Sequence, residues 1–273
     1  MDEWRSGRRW ILVIVGIGII FFLLAPVIVT IPISLNSETS LAWPPAGFSL
    51  RWYQNLFEDP GWSSSLILSI EIGLGVVLLS LALGVPMALG IVRGRFPGQR
   101  ILGGLVVMPL VIPSIIAAIG MYFVWTLGWQ VGSIAIGGHI IGTVPGFVLA
   151  HGTLAMPYVV ILVGASLGSV DRDLEFAARG LGANPGRAFQ AITLPLILPG
   201  VLAGAILAFL TSWDEVIIAL FLSSPAHITL PVRMFSQAEE ALDPTVAAVS
   251  AIVAVTTGVL FTVILVGRSR TTT

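Results

Sequence analysis

The sequence contains no cysteine, and all thirteen of its basic residues are arginines. Without cysteine there is no disulfide framework and no thiolate metal site, and cysteine usage says nothing about redox compartment. Without lysine there is no phosphate loop of the G-x-x-x-x-G-K-[ST] type, so this chain carries no ATP site of that kind. Charge is scarce as well. Only 10% of residues are charged while 56% are hydrophobic, which lies far outside the range of a soluble domain. The formal net charge of −1 argues against a nucleic-acid partner. The three histidines are scattered and no H-E-x-x-H occurs, so no metal site is expected.

What the sequence does have is long apolar runs. A hydrocarbon core of ~30 Å takes about 20 helical residues to cross. Six runs reach that length, at roughly 10–33, 65–92, 101–128, 140–168, 196–222 and 244–267. The expectation is an all-α membrane protein with six transmembrane helices, forming a single transmembrane domain over 1–273. Its first span covers about 10–33 and its core spans about 65–267. The runs exceed the minimum, which predicts tilt or kinks, and Pro109, Pro113 and Pro157 would kink the third and fourth. The first run follows Arg5, Arg8 and Arg9 but is too long for a signal peptide and lacks a small-residue cleavage site, so it reads as a retained anchor.

Orientation follows from the arginines. Arg5, Arg8, Arg9, Arg93, Arg95, Arg100, Arg172, Arg179, Arg187, Arg268 and Arg270 all fall on one side, and only Arg51 and Arg233 on the other. The positive-inside rule makes the richer side cytoplasmic, with both termini inside. The tryptophans at 43, 52, 62, 125 and 129 then fall near the outer interface as an aromatic belt, and residues 36–63 form an outer loop that can lie along the membrane.

Between the fourth and fifth runs lies "LEFAARGLGANPGRAFQAITLPLILPG", residues 174 to 200, part of a loop spanning about 169–195. Leu174, Ala177, Ala178 and Leu181 recur at i, i+3, i+4 and i+7 and line one face of a short helix. Asp171 or Asp173 can cap its start and Gly182 can end it. Asn184 followed by Pro185 opens a second short helix, and Pro195 and Pro199 bend the chain into the next run. Periodicity alone suits a hairpin that merely covers the end of a bundle as well as one that meets a partner.

The spacing within this stretch resembles the cytoplasmic loop of the membrane subunits of binding-protein-dependent, type I ABC importers. That pattern is Glu-Ala-Ala, three residues, Gly, nine residues, Ile-x-Leu-Pro. Ala177, Ala178, Gly182, Ile192, Leu194 and Pro195 fall on it, whereas its first position is Phe176 and the glutamate comes one residue earlier, at Glu175. The resemblance extends from "SSLILSIEIGLGVVLLSLALGVPMALGIVRGRF" to "FLTSWDEVIIALFLSSPAHITLPVRMF" and is similar to the spermidine/putrescine branch.

The resemblance implies a non-enzymatic permease subunit of the bacterial inner membrane that takes up a small solute such as a polyamine. The hairpin would act as coupling helices docked on a cytoplasmic ATPase dimer. That dimer would bind ATP and magnesium, while this chain would bind no cofactor. A second permease subunit would complete the path, and an extracytoplasmic solute-binding protein would deliver the solute.

Candidate solute-path residues come from the fifth run, where ionised carboxylates facing lipid would be costly. Thr211, Asp214 and Glu215 stand at i, i+3 and i+4, which on a continuous helix puts them on one face, and Glu71 in the second run is a further carboxylate. Such acceptors would suit ammonium groups; pairing with an arginine or capping of a broken helix in a partner permease would explain them equally well.

Two alternatives remain at this level. A stand-alone ion-coupled carrier would be expected to show matching repeats, and none is evident. "GASLG" at Gly164 to Gly168 matches G-x-S-x-G, so Ser166 could serve an intramembrane serine hydrolase, but His151 lies about four turns away on the same helix. His151 is better read as a polar helix-packing residue.

Overall fold

The computed structural model describes residues 2–39, 41, 43–131, 134–136, 140–240 and 244–269. Arg270, one of the charges used for orientation, lies outside them. The described residues are helical almost throughout. In chain order the elements are α1 (Asp2–Ser34), α2 (Arg51–Glu58), α3 (Pro60–Arg93), α4 (Gln99–Val107), a 3-10 turn (Met108–Leu110) and α5 (Ser114–Leu127). After two short strands come α6 (Val144–Ser169), α7 (Arg172–Gly180), α8 (Pro185–Ala188), a π turn (Phe189–Thr193), α9 (Leu194–Trp213), α10 (Ile217–Leu222), α11 (Leu230–Glu240) and α12 (Thr245–Ser269).

Among the described residues, five stretches are continuous and apolar enough to cross a bilayer: Leu12–Ser34, Pro60–Arg93, Val144–Ser169, Pro185–Trp213 and Thr245–Ile264. The third run differs from its sequence reading. It is two helices, Gln99–Leu110 and Ser114–Leu127, meeting at 101°. Pro109 and Pro113 supply no N–H, and Pro113 is itself extended at φ −54° and ψ 131°, so the helical ladder stops there instead of kinking. A second departure is an antiparallel ribbon, β1 (Trp129–Val131) paired with β2 (Ile134–Ile136), for which the hydropathy pattern gave no sign.

The chain divides into two compact units, Met1–Pro60 with Ser236–Thr256, and Gly61–Phe235 with Thr257–Thr273. In the first, the segment after α1 is partly helical. Leu56 of α2 is fully buried, Trp52 donates its indole N–H to the Asn36 carbonyl at 2.8 Å, and the Asn55 side-chain amide donates to Thr245 Oγ1 at 2.8 Å.

The second unit is built on α6. Its buried residues include Phe147, Ala150, His151, Ala155, Val159, Val163 and Leu167, and α9 packs along it. Lipid tails are as apolar as leucine, so this packing depends on close backbone approach more than on transfer out of water. Glycines provide it. A Cβ at Gly204 would lie 3.1 Å from the Val159 Cα, and one at Gly200 would lie 2.8 Å from the Leu162 carbonyl oxygen. Trp62 is also buried, at 2% exposed, so it is a packing residue and not a member of an exposed aromatic belt. At the α3 end near Trp62, Ser69 Oγ accepts from the Leu230 N–H at 2.8 Å and Ser65 Oγ accepts from Arg233 Nε at 2.7 Å, which seats α11 on α3.

Candidate functional site

The hairpin between α6 and α9 is a helix and a turn leading directly into a long helix. Asp171 caps α7, its side chain accepting from the Asp173 N–H at 3.0 Å. At the other end Gly182 takes φ +92°, donating to the Arg179 carbonyl at 3.0 Å, while Ala183 donates to the Ala178 carbonyl at 3.1 Å. These paired bonds form the glycine-terminated C-cap that satisfies the last carbonyls of a helix. Asn184 then caps α8 by accepting from the Arg187 N–H at 2.8 Å.

The second short helix anticipated from sequence does not stand apart. α8 continues through the π turn into α9, giving an unbroken Pro185–Trp213. Pro195 has no N–H to return to Ala191, and the Leu194 N–H bonds instead to the Phe189 carbonyl, five residues back. Pro195 and Pro199 are thus absorbed within one helix. Ile192 and Leu194 are half-buried along it.

No residue of α7 is fully buried. Leu174 is 47%, Phe176 61% and Leu181 90% exposed, and Ala177 is exposed beside a half-buried Ala178. The helix is held by polar contacts. Glu175 accepts from the Arg93 guanidinium at the end of α3 and from the Thr193 hydroxyl in the π turn, and Arg172 donates to the Val92 carbonyl at 3.2 Å. Burial opposes ionisation of Glu175, but the hydrogen bonds from Thr193 and Arg93 and the charges of Arg93 and Arg172 outweigh it. Its carboxyl therefore sits below the usual value.

The second feature is a break in the fifth run. Thr211, Asp214 and Glu215 do not share a face of a continuous helix, because α9 ends at Trp213 and Asp214 occupies its C-cap. The Thr211 hydroxyl bonds back to the Leu207 carbonyl at 2.8 Å. Glu215 Oε1 accepts from the Ile218 N–H at 2.8 Å and so starts α10, which packs against α5 and α6. Glu215 therefore caps a broken helix of its own chain. Asp214 is exposed, Glu215 is half-buried, and among the described residues neither is paired with an arginine. Non-helical backbone at membrane depth is tolerated only when buried in protein or lining a wet cavity. Glu71 is not part of this group. It lines a cavity of about 320 Å³ with Arg233, His227 and Ser65, whose wall holds neither Asp214 nor Glu215.

Residues 80–269 match the family described as the binding-protein-dependent transport system inner membrane component. The chain belongs to this family.

Among its relatives, the putrescine transport system permease protein PotI of Escherichia coli (strain K12) is 33% identical over 265 residues, 94% of this chain and 89% of its own length. The spermidine/putrescine transport system permease protein PotC of Haemophilus influenzae is 29% identical over 238 residues, 86% of this chain and 87% of its own length. The same fold occurs in a crystal structure of a bacterial ABC transporter involved in the import of the acidic polysaccharide alginate. That match has a TM-score of 0.70 at 19% identity, covering 96% of this chain and 97% of that one. The protein is a permease subunit of an ABC importer.

In this permease Ser166 lies against Gly200 in the α6–α9 contact, and His151 is engaged elsewhere, with Nδ1 at 2.9 Å from Ser212 Oγ. The two never meet, so the G-x-S-x-G match is a product of small-residue packing. Sequence reasoning missed Arg93, Arg172 and Thr193 as the anchors of α7, since Arg93 and Glu175 are 82 residues apart and no local pattern links them.

Proposed function

We propose that this permease imports a small cationic solute of the polyamine class, putrescine or spermidine, across the bacterial cytoplasmic membrane. The observation that carries this reading is 33% identity to a putrescine permease over 94% of the chain. The break in the fifth run supports it. Asp214 and Glu215 present two carboxylates without a basic partner among the described residues, at a place where backbone leaves the helix. They line the path and balance ammonium charge during passage; Thr211, earlier in α9, and Glu71, in its own cavity with Arg233, are further candidate path residues.

The chain acts as one transmembrane domain with both termini and the 169–195 hairpin in the cytoplasm. Phe176, Ala177, Ala178, Gly182 and the segment Ile192, Leu194 and Pro195 form the ATPase-coupling element. A cytoplasmic ATPase dimer binds ATP and magnesium, a second permease supplies the other half of the path, and a solute-binding protein delivers from outside.

The test is uptake of labelled putrescine by proteoliposomes holding the complete complex, with and without ATP inside. ATP-dependent uptake that unlabelled spermidine competes with and a neutral sugar does not is the expected result. ATP-dependent uptake of the sugar with none of putrescine would overturn the solute class.

A further inference from the structure

A nine-residue helix is well below the roughly 12–15 residues at which isolated helices become marginally stable, and α7 has no fully buried side chain to compensate. Its attachment is the polar cluster on Glu175. That carboxylate reaches two different spans at once: Arg93, in the last turn of α3, and Thr193, fully buried in the π turn from which α9 runs to the break at Asp214. Arg172 adds a third contact by donating to the Val92 carbonyl. Arg93 Nη2 is buried with no partner of its own among the described residues, so loss of the carboxylate would leave a partly buried guanidinium uncompensated. The cluster turns Glu175 inward while Phe176 and Leu181 stay exposed.

We propose that Glu175 is a positioning residue that locks α7, the end of α3 and the start of the Pro185–Trp213 helix into one body, so that force on the hairpin reaches both spans together. It is spent within the permease and does not itself touch the ATPase. This rests on the reading that the hairpin meets the ATPase. In that mechanism the exposed residues of α7 receive the push, and the Glu175 cluster passes it to α9 and hence to the break at Asp214 and Glu215.

The experiment uses the complete complex in proteoliposomes, measuring solute imported per ATP hydrolysed. With Glu175→Ala the ATPase should still co-purify and hydrolyse ATP, while uptake per ATP falls about tenfold, the scale of a typical coupling free energy. The native chain lacks cysteine, so Arg93→Cys with Glu175→Cys can be bridged by a short, reducible bis-methanethiosulfonate reagent. Bridging should restore uptake per ATP in this otherwise uncoupled pair, and reduction should abolish it again. If Glu175→Ala does not insert, the cysteine pair decides alone.

Loss of the ATPase on Glu175→Ala, or a bridge that fails to restore coupling, would overturn the lock. Retention of the ATPase by Gly182→Val would instead count against docking by the hairpin, so the two failures are distinguishable.

Discussion

His151 Nδ1 and Ser212 Oγ meet at 2.9 Å inside the α6–α9 contact, one residue before α9 ends at Trp213. Both side chains are buried, with His151 1% exposed. Phe147 packs edge-on against the imidazole, and Phe209 stacks on Trp213 at 5.5 Å between ring centroids. The end of α9 is therefore held in place by α6.

Ser212→Ala leaves a buried ring nitrogen without its partner and should destabilise the protein by about 1–3 kcal/mol. Thermal unfolding of the detergent-solubilised permease measures it. Replacing both groups, His151→Leu with Ser212→Ala, should cost less than the sum of the single changes, because no orphaned polar atom remains.

Asp214 and Glu215 can be separated by chemistry. Glu215→Gln keeps an acceptor for the Ile218 N–H, while Glu215→Leu removes both charge and cap. If the pair serves the path, Asp214→Asn with Glu215→Gln should cut cation uptake about tenfold or more while the complex assembles and hydrolyses ATP. Normal uptake by this double variant, with failure only of Glu215→Leu, would assign Glu215 to the cap alone.

Gly182 tests the turn of the hairpin in isolation. A Cβ there meets nothing within 4 Å, so Gly182→Val is opposed chiefly by φ +92°, which costs an L residue about 1–2 kcal/mol or more when it is β-branched. The variant should insert normally and lose ATPase on co-purification, as should Ala178→Glu. Phe176→Ala removes a ring that is 61% exposed and should leave thermal stability within ~0.5 kcal/mol. A loss of ATPase association in that variant would mark the ring as a contact.

The ion pair on Glu175 carries a pH signature. Its folded carboxyl sits below the ordinary value, so its stabilisation is present above the unfolded pKa and is lost as pH falls through the folded one. The stability gap between the native chain and Glu175→Gln should be constant near neutrality and shrink in acid. A gap that widens in acid would contradict a lowered pKa.

Orientation is testable with single cysteines. One at Ser224, in the turn closed by the Ser224–His227 backbone pair, should react with an impermeant thiol reagent in intact cells, and one at Asn184 should not. Ser40 is a second outer position, outside the described residues. Labelling of Asn184 from outside would reverse the topology.

Composition and hydropathy were enough to establish a helical membrane protein, because a bilayer leaves the backbone few ways to satisfy its own hydrogen bonds. Local spacing was enough for the caps at Gly182 and Asn184 and narrowed the first to Asp171 or Asp173, since each depends on residues within a few positions.

Tertiary structure decided the rest. The break after Trp213 contains neither proline nor glycine, and it forms where the Glu215 side chain supplies an acceptor for the Ile218 N–H at the start of α10. The 101° bend between Gln99–Leu110 and Ser114–Leu127 goes beyond what proline spacing specifies. Glu175 illustrates the limit most clearly. In the sequence it is a glutamate displaced by one position, and only folding brings Arg93 and Thr193 from distant segments to its carboxylate, because ion pairs form by proximity in space and leave no periodic trace along the chain.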